Sequence, residues 1–162
     1  MGAGIYPASI PLQCTIDHAH TMTPQHPVTC REPSVAEVSE AALAIVDAFG
    51  ATDGDRYFAL FAPDASFVFH PEPRRLDSRA EYEHIWSGWV GGGWRVLECV
   101  SSDRLVQTFP GGGVFSHTVF TRVHTGDAEE SYRERESIVF RVDGERLTAV
   151  HEHLSAFTTE TD

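Results

Sequence analysis

SYRERESIVFRVDGERLTAVHEHLSAF, residues 131–157, reads as two long strands joined by a tight reversal. Apolar and polar residues alternate through Ser131–Val142 and again through Glu145–Phe157, the period of two that a half-buried strand requires. Asp143-Gly144 between them is a strong signal for a two-residue hairpin, so Val142 is predicted to face Glu145. Counting back, Phe140 faces Leu147, Ile138 faces Ala149, Glu136 faces His151 and Glu134 faces His153, all on one side of the sheet. Ser137 beside Val150 and Arg135 beside Glu152 then occupy the other side. The count assumes a ladder without a bulge.

A carboxylate beside an imidazole orients the ring and stabilises its charged form, which suits a general acid or base working near neutral pH. His151, His153, Glu136 and Glu134 are therefore the candidate catalytic residues. The bland alternative is that these pairs solubilise an exposed sheet face. The preceding strand, Val114–His124, brings His117 onto the same face if the Gly126-Asp127 turn leaves an even loop. His70, at the end of an earlier strand and just before Pro71, serves equally as a turn residue or a pocket residue. Two histidines at i and i+2 also suit a metal, but the carboxylate and glycine element that cupins carry downstream has no counterpart here, and no metal or cofactor is expected.

Upstream, Ser34 with Glu37 forms a capping box ahead of Val35, Val38, Ala42, Ile45 and Phe49 at helical spacing, and Gly50 ends the run. A short second helix is predicted from Asp53 to Phe61, then a turn at Pro63-Asp64 and a strand over Ser66–His70. Ser78 with Glu81 opens a third helix through Tyr82, Ile85, Trp86 and Trp89, stopped by Gly91-Gly92-Gly93. Strands follow over Trp94–Val100 and Arg104–Phe109, separated by Ser101-Ser102-Asp103. Helices gathered ahead of an antiparallel meander give an α+β class. Three helices from the N-terminal half pack in the concave face of a curved, mostly antiparallel mixed sheet of about six strands, a cone or half-barrel.

At 162 residues the chain can bury a core without disulfide or metal staples. Twelve Arg and no Lys stand against 24 Asp plus Glu, a net charge of -12 that repels a phosphate backbone, so nucleic acid is excluded as a partner. No apolar run approaches a membrane span. Cys14, Cys30 and Cys99 form neither a disulfide framework nor a zinc knuckle, which fits a cytoplasmic protein. Residues 1–33 are proline-rich without apolar period and read as an irregular or disordered arm, leaving 34–159 as the domain. His18-Ala19-His20 in that arm is a weak metal-binding tract, and Met22 is an alternative start. No dinucleotide fingerprint, Walker loop, nucleophile elbow or H-E-x-x-H motif occurs.

The region from about Val35 to Phe157 resembles the SnoaL-like branch of the nuclear transport factor two-like superfamily. The resemblance is carried by Phe61-Ala62-Pro63-Asp64-Ala65, Arg135-Glu136-Ser137-Ile138-Val139-Phe140, Asp143-Gly144 and Val150-His151-Glu152-His153-Leu154-Ser155. The last of these is also similar to the end of the calcium/calmodulin-dependent kinase association domain. The superfamily includes ketosteroid isomerases, dehydratases, epoxide hydrolases, polyketide cyclases and non-catalytic assembly modules, so fold membership does not choose a reaction. The resemblance implies a pocket between helices and sheet for a small hydrophobic ligand, and a homodimer through the outer sheet face. Tyr57, His70, Trp86 and His117 are the expected pocket residues. The reading therefore divides between a cofactor-independent lyase, isomerase or cyclase and a non-catalytic ligand-binding or assembly module.

Overall fold

The computed structural model describes residues 30–157. Most of the expected N-terminal arm, with the His18-Ala19-His20 tract and Met22, lies outside the described residues.

Helix α1, Val35–Gly50, starts as the capping box requires: the Ser34 hydroxyl accepts the Glu37 N–H, and the Glu37 carboxylate accepts the Ser34 N–H. Val38, Ala42, Ile45 and Ala48 make its buried stripe, whereas Val35 stays exposed. Helix α2 is only Gly54–Phe58, shorter than expected, because Asp53 is its cap and Phe61 already belongs to a strand. Strand β1, Phe61–Phe69, runs straight through Pro63-Asp64, where a turn was expected. Proline is tolerated there because β1 is an edge strand and its pairing is interrupted between Phe61 and Ser66. Helix α3, Arg79–Gly91, is capped by Ser78, whose hydroxyl accepts the Glu81 N–H.

Four strands follow: β2 Trp94–Phe109, β3 Gly112–Thr125, β4 Glu129–Asp143 and β5 Arg146–Ala156. The sheet order is β1-β5-β4-β3-β2, with β1 parallel to β5 and every other pair antiparallel. Five strands replace the expected six because Ser101-Ser102-Asp103 does not turn the chain. Ser102 pairs with Thr118 and Leu105 with Ser116, so Asp103 and Arg104 together oppose His117. Asp103 takes a φ of 50°, and β2 continues beyond this bulge.

The β4–β5 register differs from the expected one in two steps. Asp143 pairs with Arg146, so the turn centres on Gly144-Glu145 rather than Asp143-Gly144. Of the two central residues only Gly144 has positive φ, 62°, matching turns with glycine at the first central position. That change slides the pairing by two residues and preserves the faces: Phe140 meets Ala149 instead of Leu147. A bulge then leaves Val150 unpaired, since Val139 meets His151. Beyond it every β5 side chain changes face, and Ile138 faces Glu152 while Ser137 faces His153.

The inner sheet face packs on the three helices. Tyr57, Phe58, Phe61, Phe67, Phe115 and Ile138 are buried there, each large side chain contributing about 1.5–3 kcal/mol by leaving water. The Tyr57 and Trp86 rings stack at 5.3 Å with an interplanar angle of 14°. A Cβ at Gly54 would lie 2.8 Å from Trp86 Nε1, so only glycine lets α2 come this close to α3. No helix among the described residues is long and apolar enough to cross a membrane.

Candidate active site

Three carboxylates project from the inner sheet face beneath the helices. Alternation along β4 places Glu134 and Glu136 there, and the Val150 bulge turns Glu152 of β5 toward them. They are 8%, 7% and 3% exposed, so each charge needs a partner. Tyr57 Oη donates to Glu152 Oε2 at 2.6 Å. His117 Nε2 meets Glu136 Oε2, and His117 Nδ1 lies 2.7 Å from Ser101 Oγ. His70 Nε2 lies 2.7 Å from Glu134 Oε1.

The direction of these bonds follows from their ends. Arg104 Nε can only donate, and it does so to Ser101 Oγ at 2.9 Å. The Ser101 hydroxyl therefore gives its proton to His117 Nδ1, leaving the His117 proton on Nε2, directed at Glu136. On the far side Tyr57 supplies a proton to Glu152, which is hydrogen-bonded in turn to Glu136. Glu136 thus accepts from His117 and from a protonated Glu152. No buried side-chain polar atom among the described residues lacks a partner.

Burial and neighbouring charge tune these groups to fit that arrangement. Burial first, then the Glu134 charge, push the Glu136 carboxyl up to about 7, against the lowering effect of its bond to Glu152. Glu152 is raised well above the ordinary carboxylate range by burial and then by the Glu136 charge. Burial raises Glu134 more modestly, and its bond to His70 works the other way. His117 is pushed down to about 4 by burial and by the Arg104 charge, which keeps it neutral at physiological pH.

Two cavities meet at this cluster. A small inner cavity of about 30 Å³, room for one water, is bordered by Tyr57, Thr121, Glu134, Glu136 and Glu152. A cleft of about 730 Å³ opens between α3 and the ends of β1, β4 and β5, walled by Phe69, Tyr82, Trp89, Trp94, Tyr132 and Phe157. Phe49, Glu134 and Leu154 border both spaces, so Glu134 is the carboxylate at the boundary. His70 also lines the cleft. The cleft's size and apolar wall with a few polar groups suit a small organic molecule.

Of the expected catalytic residues, Glu134 and Glu136 lie in this cluster, together with His117, Tyr57 and His70 from the expected pocket. His151 and His153 do not. The Val150 bulge sends both to the outer sheet face, where His151 Nδ1 meets Ser66 Oγ at 2.8 Å and His153 is exposed. The expected pairs Glu136 with His151 and Glu134 with His153 are corrected accordingly. Trp86 is core, 5% exposed, and borders neither the inner cavity nor the cleft; Trp89 and Trp94 form the cleft wall instead. Glu152, which an unbulged count assigns to the outer face, is the carboxylate of this cluster that the sequence pattern misses, and Ser101 sits in a stretch whose residues spell a turn. Alternation alone carries no signal for either, because both depend on bulges. Among the described residues no three His, Cys, Asp or Glu side chains are arranged to hold a metal ion.

The fold recurs in solved structures at low identity. A ketosteroid isomerase-like protein from Erwinia carotovora atroseptica superposes with a TM-score of 0.68 at 13% identity, covering 77% of this chain and 97% of that one. An NTF2-like protein from Rhodospirillum rubrum, described as of unknown function in nutrient uptake, gives 0.65 at 17% identity, covering 75% and 98%. An NTF2-like protein from Cytophaga hutchinsonii gives 0.64 at 12%, covering 74% and 95%. At such identities the likeness shows the fold alone. No curated protein matches the chain. The SnoaL-like domain model matches residues 38–159, spanning every strand and all but the first turn of α1, and the chain therefore belongs to the SnoaL-like domain family.

Proposed function

We propose that the protein is an isomerase, dehydratase or cyclase that moves a proton on a small apolar molecule with its own side chains, Glu134 being the group that meets the ligand. The supporting observation is the position of Glu134: its carboxylate borders the aromatic cleft on one side and the cavity shared with Glu136 and Glu152 on the other. A largely buried carboxylate with a raised pKa, backed by a neighbouring imidazole, can take a proton from a carbon acid or return one at neutral pH. His70 orients it, and Trp89 and Trp94 hold the ligand's apolar body.

Hydrogen–deuterium exchange tests this even while the natural substrate is unidentified. Cyclic ketones and 1,3-dicarbonyl compounds are incubated with the protein in D2O, and loss of the α-proton signal is followed by NMR. Incorporation into at least one compound is expected, slowed by about 10²–10⁴ in Glu134→Gln. An unchanged rate in that variant removes Glu134 from the mechanism.

The second reading, a ligand-holding module without chemistry, draws on the narrowness of the inner cavity, which admits water but no ligand. Its mark is quenching of Trp89 and Trp94 fluorescence by compounds that never exchange. The homodimer is likewise a proposal, supported by Val68, Phe120 and Val139 lying half-buried on the outer sheet face of the single chain. Sedimentation equilibrium measures it, a species of one chain mass counting against it.

A further inference from the structure

We infer that the buried carboxylates exchange protons with solvent through a second entrance, separate from the ligand cleft, formed by Ser101 and His117 at the β2 bulge. The inference rests on the reading of Glu134 and Glu136 as proton-handling groups and adds the route by which they are resupplied.

Three spaces lie in sequence across the molecule. A solvent-open groove of about 860 Å³ between α1 and β2 is bordered by Ser101 and Arg104. It shares Val46 and Cys99 with the inner cavity, which in turn shares Phe49, Glu134 and Leu154 with the cleft. Groove and cleft have no bordering residue in common. A ligand seated against Trp89 and Trp94 would therefore block the cleft and leave the groove open.

Between the groove and the carboxylates a single imidazole spans the barrier. The His117 side chain has no exposure, yet Nδ1 reaches Ser101 Oγ and Nε2 reaches Glu136. The bulge makes this contact with solvent possible. Asp103 and Arg104 oppose His117 where one residue would do, and the extra residue folds Arg104 back so that Nε and Nη2 bond to Oγ and the carbonyl of Ser101. Ser101 is thereby held half-exposed with its hydroxyl proton aimed inward. The charged and titratable groups around the ring are Arg104 from β2, Glu136 from β4 and Glu152 from β5, with Cys99 between groove and inner cavity and Glu40, Asp47 and Glu98 lining the groove beyond.

In the inward step a hydronium ion in the groove passes a proton to Ser101 Oγ and becomes water, as the Ser101 hydroxyl proton moves to His117 Nδ1 and the Nε2 proton moves to the ionised Glu136 carboxylate. The outward step is its reverse. Ser101 is a positioning and relay residue in this scheme; it touches neither ligand nor reacting atoms.

The test needs no substrate. In the full chain, solvent exchange of the His117 Nε2 proton is measured by ¹⁵N-resolved NMR for the wild type, Ser101→Ala and Ser101→Thr. The relay predicts at least about tenfold slower exchange in Ser101→Ala and a rate within about twofold of wild type in Ser101→Thr, which restores the hydroxyl. Exchange in Ser101→Ala as fast as wild type or faster, or exchange in Ser101→Thr as slow as in Ser101→Ala, would overturn it. Because the readout is a protein resonance, failure of the relay and failure of ketone exchange are separate results.

Discussion

Glu152 is the residue on which the electrostatics of the interior turn. A carboxyl raised above its ordinary value by folding stabilises the protein below about 4.5 and loses that contribution as pH climbs toward the folded value. Glu136 has the same sign over the interval from 4.5 to about 7, whereas His117, lowered from 6.5 to about 4, stabilises above 6.5 and loses that contribution as pH falls. Between about pH 4.5 and 6.5 the folded chain holds a proton on Glu136 and the unfolded chain holds one on His117, so these two largely cancel. Glu152 remains, and stability is expected to fall as pH rises above 5. Glu152→Gln, which keeps the shape and can still donate to Glu136, should raise Tm at pH 8 by about 5 °C and leave it unchanged at pH 4.5. Calorimetric scans at the two pH values decide this, and an equal Tm for both proteins at pH 8 would show that Glu152 carries no buried proton. Glu134 and Glu136 could be picked from the sequence because strict alternation through Ser131–Val142 survives intact in β4. Glu152 could not, since its neighbours His151 and His153 offer the more familiar chemistry and a single unpaired residue exchanges their places.

Bulges do at the level of strands what no periodic pattern announces. One at Val150 chooses which β5 side chains lie under the helices, and one at Asp103-Arg104 opens β2 beside His117. Deleting Val150 would remove the bulge and leave the pairs beyond it in place, Val139 with His151 and Ile138 with Glu152, so Glu152 keeps its seat beneath the helices and Tyr57 its acceptor. A loss of no more than about 3 kcal/mol is expected in urea unfolding, the ordinary range for one local change that keeps the buried polar partners. A deletion variant that no longer folds would show that the bulge itself is needed to hold the β5 register. Helices were far more legible: Ser34 and Ser78 each cap where side-chain chemistry says they should, because capping is a contact over three residues and does not depend on the rest of the fold. The turn at Asp143-Gly144 was legible in place but not in type, since choosing which residue takes positive φ depends on how the strands twist together.

Across the whole molecule, helices α1 to α3 cover one face of a five-stranded sheet, and the space they fail to fill at one end is the cleft. Helices on one face of a mostly antiparallel sheet followed from the order of helices and strands, although about six strands were expected, and membership of the SnoaL-like domain family agrees with that arrangement. The cleft itself was not legible, because it is the shape left over when Phe69, Trp89 and Phe157 meet from three distant parts of the chain. With a net charge of -12, the protein repels anionic ligands at low salt, so neutral apolar compounds should quench Trp89 and Trp94 fluorescence more strongly than their carboxylated analogues. Equal quenching by both would mean that the cleft does not feel the overall charge. Carbon-13 NMR titration of the glutamate side-chain carboxyls reads the proton inventory of the interior without ligand or substitution. Glu152 is expected to titrate well above the ordinary carboxylate range and Glu136 near 7. Titration of Glu134, Glu136 and Glu152 together in the ordinary range near 4.5 would contradict a proton stored beneath the helices.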